Sequence, residues 1–375
     1  MLDLKFIVNN PEAVKAGSAK KHIPCDVDEI LRLDSERREL VGQVDEARSR
    51  SKAAGKTIAS ATPEERPALV QAQAQEKAAL KAMEARQKEV AEALDALLLL
   101  VPNVPAEAVP DGATDEDNVE IKRWGEPKAF GFTPRSHSEL GEAHNWIDSV
   151  RGARLSGSRN YVLLGDMSLL EHAVMRFAFD SMVARGFTPL SVPTLVRSET
   201  MVGTGYFPGG EDQAYRCDER DDLCLVGTAE VPVTALYQDE ILDGADLPLK
   251  FVAQSSCYRR EAGTYGKDTK GLYRVHQFQK VEQVVIDAAS EEGSLAHHEA
   301  ILGNSEAVLQ ALDLPYRVVN VCGGDLGQPQ IQKFDIETWM PSREGYGETH
   351  SASRFHDFQA RRLGLRYRDA EGKVR

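Results

Sequence analysis

Two seams of apolar and small residues in the first hundred positions constrain this chain's fold most. Ile30, Leu33, Arg37, Leu40, Val44, Ala47, Ser51 and Ala54 step by three and four, the heptad period of a coiled coil with polar interruptions. A second seam runs through Leu69, Gln73, Glu76, Leu80, Met83, Gln87, Val90, Leu94, Leu97 and Val101 and stops at Pro102. The stretch is poor in Gly and rich in Ala, Glu, Lys, Arg and Leu, which favours long helices. Gly55 and the group Thr62, Pro63 and Glu65 mark a turn: Thr62 can cap, Pro63 suits the first helical position, and Glu65 completes a capping box. The expectation is an antiparallel helical arm whose second helix, roughly 55 Å long at 1.5 Å per residue, projects into solvent. Heptads alone favour an oligomerisation arm over a ligand-gripping one, since coiled coils mostly join proteins. Arg48, Arg50, Lys52 and Lys56 bias the distal half towards positive charge, as a phosphate-contacting strip or a plain solvated face.

The net charge of −14 over 375 residues opposes non-specific coating of nucleic acid, which needs surplus Lys and Arg, so any such contact is local. No apolar run reaches the ~18 residues a membrane span needs, and MLDLKFIVNN lacks a signal peptide's charged and apolar regions. A cytoplasmic protein without a membrane partner is expected. The five cysteines, Cys25, Cys217, Cys224, Cys257 and Cys322, form no CxxC pair and read as reduced thiols, with no zinc ribbon. His297 and His298 are adjacent, which reads as a surface pair rather than a metal site.

Pro102, Pro105, Pro110, Gly112, Gly125 and Pro127 mark 104–135 as a linker between an arm over 1–103 and a second domain over 136–375. Beyond Ser136, β-branched and aromatic residues alternate with helical segments such as 167–185 and 291–312. That is an α+β pattern on a mainly antiparallel sheet with flanking helices. Residues 251–286 read as strand, Gly-rich loop, strand. Alternation puts Arg274, His276, Phe278, Lys280 and Glu282 on one face of the second strand, and Arg259 and Glu261 on one face of the first. Such a face makes a poor core and a good ligand floor, though an exposed face of salt-bridged strands has the same pattern. GTAEVP puts Thr228 and Glu230 on one face of a short strand, a hydroxyl beside a carboxylate that can hold an ammonium. GYGETHSAS offers Glu348 and Ser351, oxygen donors suited to magnesium.

Together these segments resemble the class II aminoacyl-tRNA synthetases, and within them the serine enzymes. YRREAG…GLYRVHQFQKVEQ (258–283) resembles motif 2, GTAEVP (227–232) the serine-binding TxE segment, and GYGETHSAS (345–353) with FQARRLGLRYRD (358–369) the approach to motif 3. GFTPLSVPTLV (187–197) is similar to motif 1, with Pro193 at the family's homodimer interface. The resemblance implies ligation of L-serine to tRNA(Ser), and to tRNA(Sec) in addition, driven by ATP with Mg2+, with the coiled-coil arm gripping the long variable arm of the tRNA. It implies Arg259 as the catalytic guanidinium between the serine carboxylate and the α-phosphate. Thr228, Ala229, Glu230, Arg259 and Glu282 would bind serine, with Thr228 and Glu230 on its ammonium and Glu282 on its hydroxyl. Arg259, Arg260, Glu261, Arg274, Val275, Phe278, Glu348, Thr349, His350 and Ser351 would line the ATP site. Within that set Glu261 meets the adenine amino group, Phe278 stacks on the ring, Val275 offers backbone contacts, Arg274 meets the γ-phosphate, and Glu348 and Ser351 hold Mg2+.

The family's motif 3, a strand and a Gly-rich helix bearing an arginine for the other adenine face, would follow Arg375. A chain ending there is expected to bind tRNA through its arm better than it makes adenylate. Two other readings carry the same features: a synthetase-like tRNA-binding or regulatory paralogue, and an aminoacyl ligase acting on a carrier protein, whose relatives generally lack the long arm.

Overall fold

The computed structural model describes residues 1–218, 220–263 and 271–375, so the middle of the expected Gly-rich loop lies outside the described residues. The chain divides into two compact units, one of Leu2–Ala19 and Ile23–Pro102, the other of Met1, Lys20–His22 and Asn103–Arg375.

The first unit holds α1 (Leu4–Asn9), α2 (Pro11–Lys20, its last residue counted with the second unit), α3 (Val27–Ser60) and α4 (Arg66–Leu100). Asp26 caps α3 by accepting from Glu29 N, and Asp28 and Glu29 add acidic charge to its first turn. Ile30, Leu33, Leu40, Val44 and Ala47 on α3 are buried, as are Val90 and Leu94 on α4, so the heptads mark the packed seam. Burying one such Leu, Ile or Val contributes roughly 1.5–3 kcal/mol, and an Asp at Val44 would split the hairpin there. The turn falls later than expected. The helix runs through Gly55 to Ser60 with only Gln73 Nε2 near that glycine, because a helix already paired along its length absorbs one weak former. Glu65 accepts from both the backbone N and Oγ1 of Thr62, the predicted contact, but the second helix starts at Arg66 with Pro67 in its first turn.

The second unit is α+β. Its N-terminal part comprises β1 (Val119–Trp124), α5 (His137–Ala143), β2 (Ile147–Asp148), α6 (Ser149–Ser156), β3 (Val162–Leu163) and α7 (Asp166–Ala184). There follow β4 (Thr188–Leu190), β5 (Leu195–Arg197), α8 (Ser198–Thr204), β6 (Tyr215–Arg216), β7 (Leu223–Leu225), α9 (Glu230–Thr234) and β8 (Ile241–Asp243). The long strands are β9 (Leu249–Tyr258) and β10 (Gln277–Ile286). After them come α10 (Glu291–Ala311), β11 (Tyr316–Asn320), β12 (Gln332–Met340), β13 (Gly345–Arg354), α11 (Phe358–Arg362) and β14 (Arg366–Arg368).

Two sheets frame the site, one in the order β1-β11-β12-β13 and antiparallel throughout, the other β10-β9-β4 with β4 parallel to β9. One face of β9 and β10 packs Val252, Val281 and Val285 against Met182 of α7 and Val308 and Ile301 of α10. The opposite face sets Phe251, Ala253, Val284 and Ile286 against Ala229 and Val233. Period two then assigns Phe278, Lys280 and Glu282 to this second face. Helix α10 also covers Phe334, Ile336 and Ala352 of the other sheet.

His297 and His298 are not a surface pair. His297 Nε2 lies 2.8 Å from Asp287, and His298 is 2 % exposed, 2.8 Å from the carbonyl of Ala352 and stacked on Phe334 at 4.6 Å. Adjacent helical residues point about 100° apart, so one reached the core. Lys21, 1 % exposed, donates to the carbonyls of Gly327 and Gln328 at 3.1 and 3.0 Å and to that of Gln330. All five cysteines are free of disulfides.

Candidate active site

The strand β7, paired with β5 and β6, stops at Leu225, and the carbonyl of the next residue, Val226, accepts from Tyr258 N at the end of β9. Thr228 and Ala229 form the turn into α9, whose first residue is Glu230. Contrary to the expectation from alternation, Thr228 and Glu230 therefore do not share a strand face; the helix starts first, at Glu230. The turn still brings them together. Thr228 Oγ1 accepts from Glu230 N at 3.3 Å and donates to Glu282 Oε2 at 2.6 Å, crossing from the turn before α9 to β10. Lys280 Nζ lies 3.8 Å from the same Glu282 oxygen.

Glu230 is half-buried, its Oε1 accepting from Gln359 Nε2 at 2.8 Å and its Oε2 from Tyr206 OH at 3.4 Å. Burial and, next, the Glu282 charge push its carboxyl up to about 7, against the pull of the Gln359 amide, Lys280 and Tyr206. Burial and Glu230 likewise hold the Tyr206 phenol well above its ordinary range. Sequence reasoning missed Tyr206 and Gln359. They arrive from after α8 and from α11, and no spacing in the sequence ties either to the turn at Thr228.

The guanidinium of Arg259 is exposed, sits 5.4 Å from the Phe278 ring centroid and passes beside Gly227, where a Cβ would touch its Cγ and Nε at 3.5 Å. Lys280 approaches the same ring at 5.8 Å. Two strand expectations need correction here. Arg259 and Glu261 lie beyond the end of β9, Glu261 with φ 51°, and Arg274, Val275 and His276 precede β10. Tertiary hydrogen bonds override the alternation. Gln213 fixes the outgoing turn through Ala262 and Arg260, while the carbonyl of Arg159 accepts from His276 N and that of His276 from Arg259 N. Glu261 and Arg274 are nevertheless joined, Nη1 to Oε2 at 2.7 Å. Val275 is buried and Arg260 exposed.

On a regular strand Glu348 and Ser351 would point to opposite faces. A bulge at Thr349 changes this, because Glu348 pairs with Glu337 while His350 pairs with Ile336 and Ser351 with Asp335. Glu337 and Asp335 are two apart and share a face, so Glu348 and Ser351 share it with them. Thr349 Oγ1 bonds to Thr338 Oγ1 at 2.7 Å and lies 2.9 Å from His350 Nδ1. Burial, then the Lys280 charge, pushes the His350 imidazole down to about 4. Asp335 is 4 % exposed; its Oδ2 meets Lys333 at 3.0 Å and its Oδ1 has no hydrogen-bond partner among the described residues. Burial pushes this carboxyl up, opposed by Lys333 and aided by Glu348. Exposed oxygen donors beside a partnerless buried carboxylate oxygen fit a small hard cation. Among the described residues no group of three or more His, Cys, Asp or Glu is gathered as a metal site.

Of the basic residues on α3, Arg48 reaches across the hairpin to Glu84 at 2.8 Å and Arg50 lies 3.7 Å from Glu46, one turn away, while Lys52 and Lys56 are exposed. Pro193 is exposed.

Residues 1–105 match the family model of the seryl-tRNA synthetase N-terminal domain, and 215–375 that of the class II tRNA synthetase core domain (G, H, P, S and T). A serine–tRNA ligase of Deinococcus radiodurans is 48 % identical over 374 residues, covering 100 % of this chain and 88 % of its own length. The chain belongs to the serine–tRNA ligase family. A relative of the same name from Thermotoga petrophila is 47 % identical and is covered over 89 % of its length. The crystal structure of seryl-tRNA synthetase from Pyrococcus horikoshii complexed with ATP superposes with a TM-score of 0.91 at 38 % identity, over 100 % of this chain and 89 % of that one. The protein is accordingly a ligase that activates serine with ATP and joins it to tRNA. Neither the regulatory-paralogue nor the carrier-protein reading is favoured beside these relatives. Among the described residues no helix is long and apolar enough to cross a membrane.

Proposed function

We propose that serine activation runs where the turn before α9 meets β10, with Thr228, Ala229 and Glu230 receiving the serine ammonium and Glu282 its hydroxyl. The observation that carries this reading is the bond from Thr228 to Glu282, which brings an ammonium-type acceptor pair and a hydroxyl acceptor together beside the exposed Arg259. With alanine bound, Glu282 would keep the Thr228 bond but lack the donor that the serine hydroxyl supplies, which is a basis for rejection.

The serine carboxylate oxygen attacks the α-phosphorus of ATP as the bond from that phosphorus to pyrophosphate breaks. Charge builds on phosphate oxygens that begin anionic, and Arg259, held between Gly227 and the Phe278 ring, supplies fixed positive charge there. Phe278 stacks on adenine, Val275 offers backbone contacts, and Arg260, Thr349 and His350 complete the walls. Glu261 and Arg274, which hold each other at 2.7 Å, exchange that ion pair for the adenine amino group and the γ-phosphate when ATP binds. Glu348 and Ser351 would hold Mg2+, which when bound neutralises phosphate oxygens. In the second step a terminal hydroxyl of the tRNA attacks the seryl carbonyl carbon and AMP leaves. No covalent enzyme intermediate is needed, so positioning and electrostatics supply the catalysis.

The same reading takes residues 1–103 as the arm that grips the variable arm of tRNA(Ser), and of tRNA(Sec) as well, through Arg48, Arg50, Lys52 and Lys56. Residues 104–135 serve as linker and 136–375 as catalytic domain. A homodimer through Pro193 is supported by large apolar side chains left exposed nearby in sequence and on α7: Leu195 at 45 %, Leu169 at 68 % and Leu170 at 54 %. Five free thiols suit a reducing cytoplasm.

The test is serine-dependent ATP–pyrophosphate exchange by the full-length protein and its Arg259→Ala variant. The expected loss in kcat is on the order of 10²- to 10³-fold with ATP binding less affected, as for other fixed charge stabilisers. Exchange within a few-fold of wild type would reject Arg259 as the transition-state cation.

A further inference from the structure

The amide of Gln359 donates to Glu230 from α11. We propose that Gln359 is a positioning residue for the serine step, its NH2 group clamping the Glu230 carboxylate to the end of α8. This deepens, and rests on, the reading that Glu230 holds the serine ammonium.

The geometry is over-determined. Gln359 is buried, 7 % exposed, and its Nε2 donates at 2.8 Å to Glu230 Oε1 and at 3.0 Å to the carbonyl of Thr204. A side-chain amide has two N–H groups; both are used, so the group cannot rotate without losing a bond. Thr204 ends α8, where helix carbonyls lack intrahelical partners, so its acceptor is fixed by the fold. The helix that carries Gln359 is seated on the same segment. Arg362 Nη1 donates to the carbonyls of Val202 and Phe207, each at 3.0 Å, and a Cβ at Gly203 would meet Leu363 Cδ2 at 2.3 Å. So close an approach leaves α11 no slack against α8, and the amide is aimed by the backbone.

The bond falls on the group whose charge the substrate needs. Glu230 is faced by Glu282 and Lys280 from β10 and by Tyr206 from the loop after α8; Arg259, after β9, is felt at Tyr206. Glu282 favours a proton on Glu230, and Lys280 already lies 3.8 Å from Glu282. Of the two neutral donors to Glu230, Tyr206 stands at 3.4 Å and Gln359 at 2.8 Å. Gln359 is thus the shorter donor bond that keeps this carboxylate ionised and its outer lone pairs turned to the ammonium.

The experiment follows kcat/KM for serine in ATP–pyrophosphate exchange from about pH 5.5 to about pH 8.5 in the full-length protein, since this ratio reports ionisations of the free enzyme. Gln359→Met keeps the volume and removes both donors; Gln359→Glu keeps the shape and adds a like charge. Both are expected to move the acidic limb about one unit upward from its position near 7, which at pH 7 is roughly a fivefold loss in kcat/KM for serine and at pH 5.5 close to tenfold. The ATP KM should stay within about twofold, and the loss should shrink as the pH rises to about 8.5, where most of Glu230 is ionised in every form. Glu230→Gln, run beside them, should lose serine turnover at every pH while still binding ATP. An unmoved limb, or an equal loss at every pH with a raised ATP KM, makes Gln359 an ordinary core residue and overturns the proposal. Near-normal serine kinetics in Glu230→Gln would overturn both the proposal and the reading beneath it.

Discussion

Glu282→Gln separates two effects of a single charge, and the structure gives each a sign. The carboxylate accepts from Thr228 at 2.6 Å and is the proposed acceptor for the serine hydroxyl. An amide oxygen can still accept from Thr228, so the fold should persist and the melting temperature should hardly move. What is lost is the charge in the acceptor, and a hydrogen bond to a charged group contributes about 1.5–3 kcal/mol, or roughly 10- to 150-fold in kcat/KM for serine. The second effect runs the other way. The Glu282 charge is the largest cause after burial that lifts Glu230 to about 7. Removing it lowers the Glu230 pKa, so Glu230 stays ionised, and able to bind an ammonium, at lower pH. The acidic limb should therefore move down, opposite to the shift expected for Gln359→Met, and the deficit of the variant should be full near pH 8 and narrower near pH 6. The assay is serine-dependent exchange across that range with ATP saturating, and separately the ATP KM. A deficit that is constant with pH would refute the coupling between the two carboxylates. An ATP KM that rises as much as the serine KM would place Glu282 in the wrong half of the site.

Charge reversal of Arg50, Lys52 and Lys56 should weaken tRNA binding and flatten its salt dependence, with only a small drop in melting temperature from the exposed Arg50–Glu46 pair; unchanged affinity at low salt would make the strip a solvated face. Arg48→Glu should in addition loosen the hairpin, because it sets a negative charge against Glu84, and helical signal on heating would report it. Lys21→Met removes the ammonium shared by three backbone carbonyls and should cost roughly 3 kcal/mol in denaturant unfolding, the scale of stranded buried acceptors. A cost under about 1 kcal/mol would mean that water replaces the ammonium there.

Periodic features were legible in the sequence because one rule governs many residues. The heptads marked Ile30, Leu33, Leu40, Val44, Ala47, Val90 and Leu94, which are buried, since a helix pair repeats the same contact each turn. Period two set Phe278, Lys280 and Glu282 apart from Val281 and Val285, since only one face of β10 meets α7 and α10. Element ends followed different rules. Alternation failed at Arg259, Glu261, Arg274 and Thr228 because distant partners, Arg159 and Gln213 among them, end the ladder there. The reverse holds at Glu348 and Ser351, whose spacing of three would divide them on a regular strand. One extra residue at Thr349 joins them, and no residue type in GYGETHSAS signals a bulge.

The partners of Glu230 illustrate a deeper limit. Its side chain is held by residues 24 positions before it and 129 after it, and it feels a charge 52 positions away on β10. None of these separations repeats, so no periodicity encodes them. Each contact instead follows from how an element is seated: Tyr206 from the end of α8, Gln359 from the tight approach of α11 to Gly203, and Glu282 from the register of β10 on β9. In the proposed serine site, a carboxylate set this way is tuned by packing that lies outside the binding surface. Gly203→Ala, which touches no substrate, should therefore push α11 off α8 and weaken serine binding more than ATP binding. Its ratio of serine KM to ATP KM, compared with that of Gln359→Met, measures how much of the setting comes from the seat and how much from the bond.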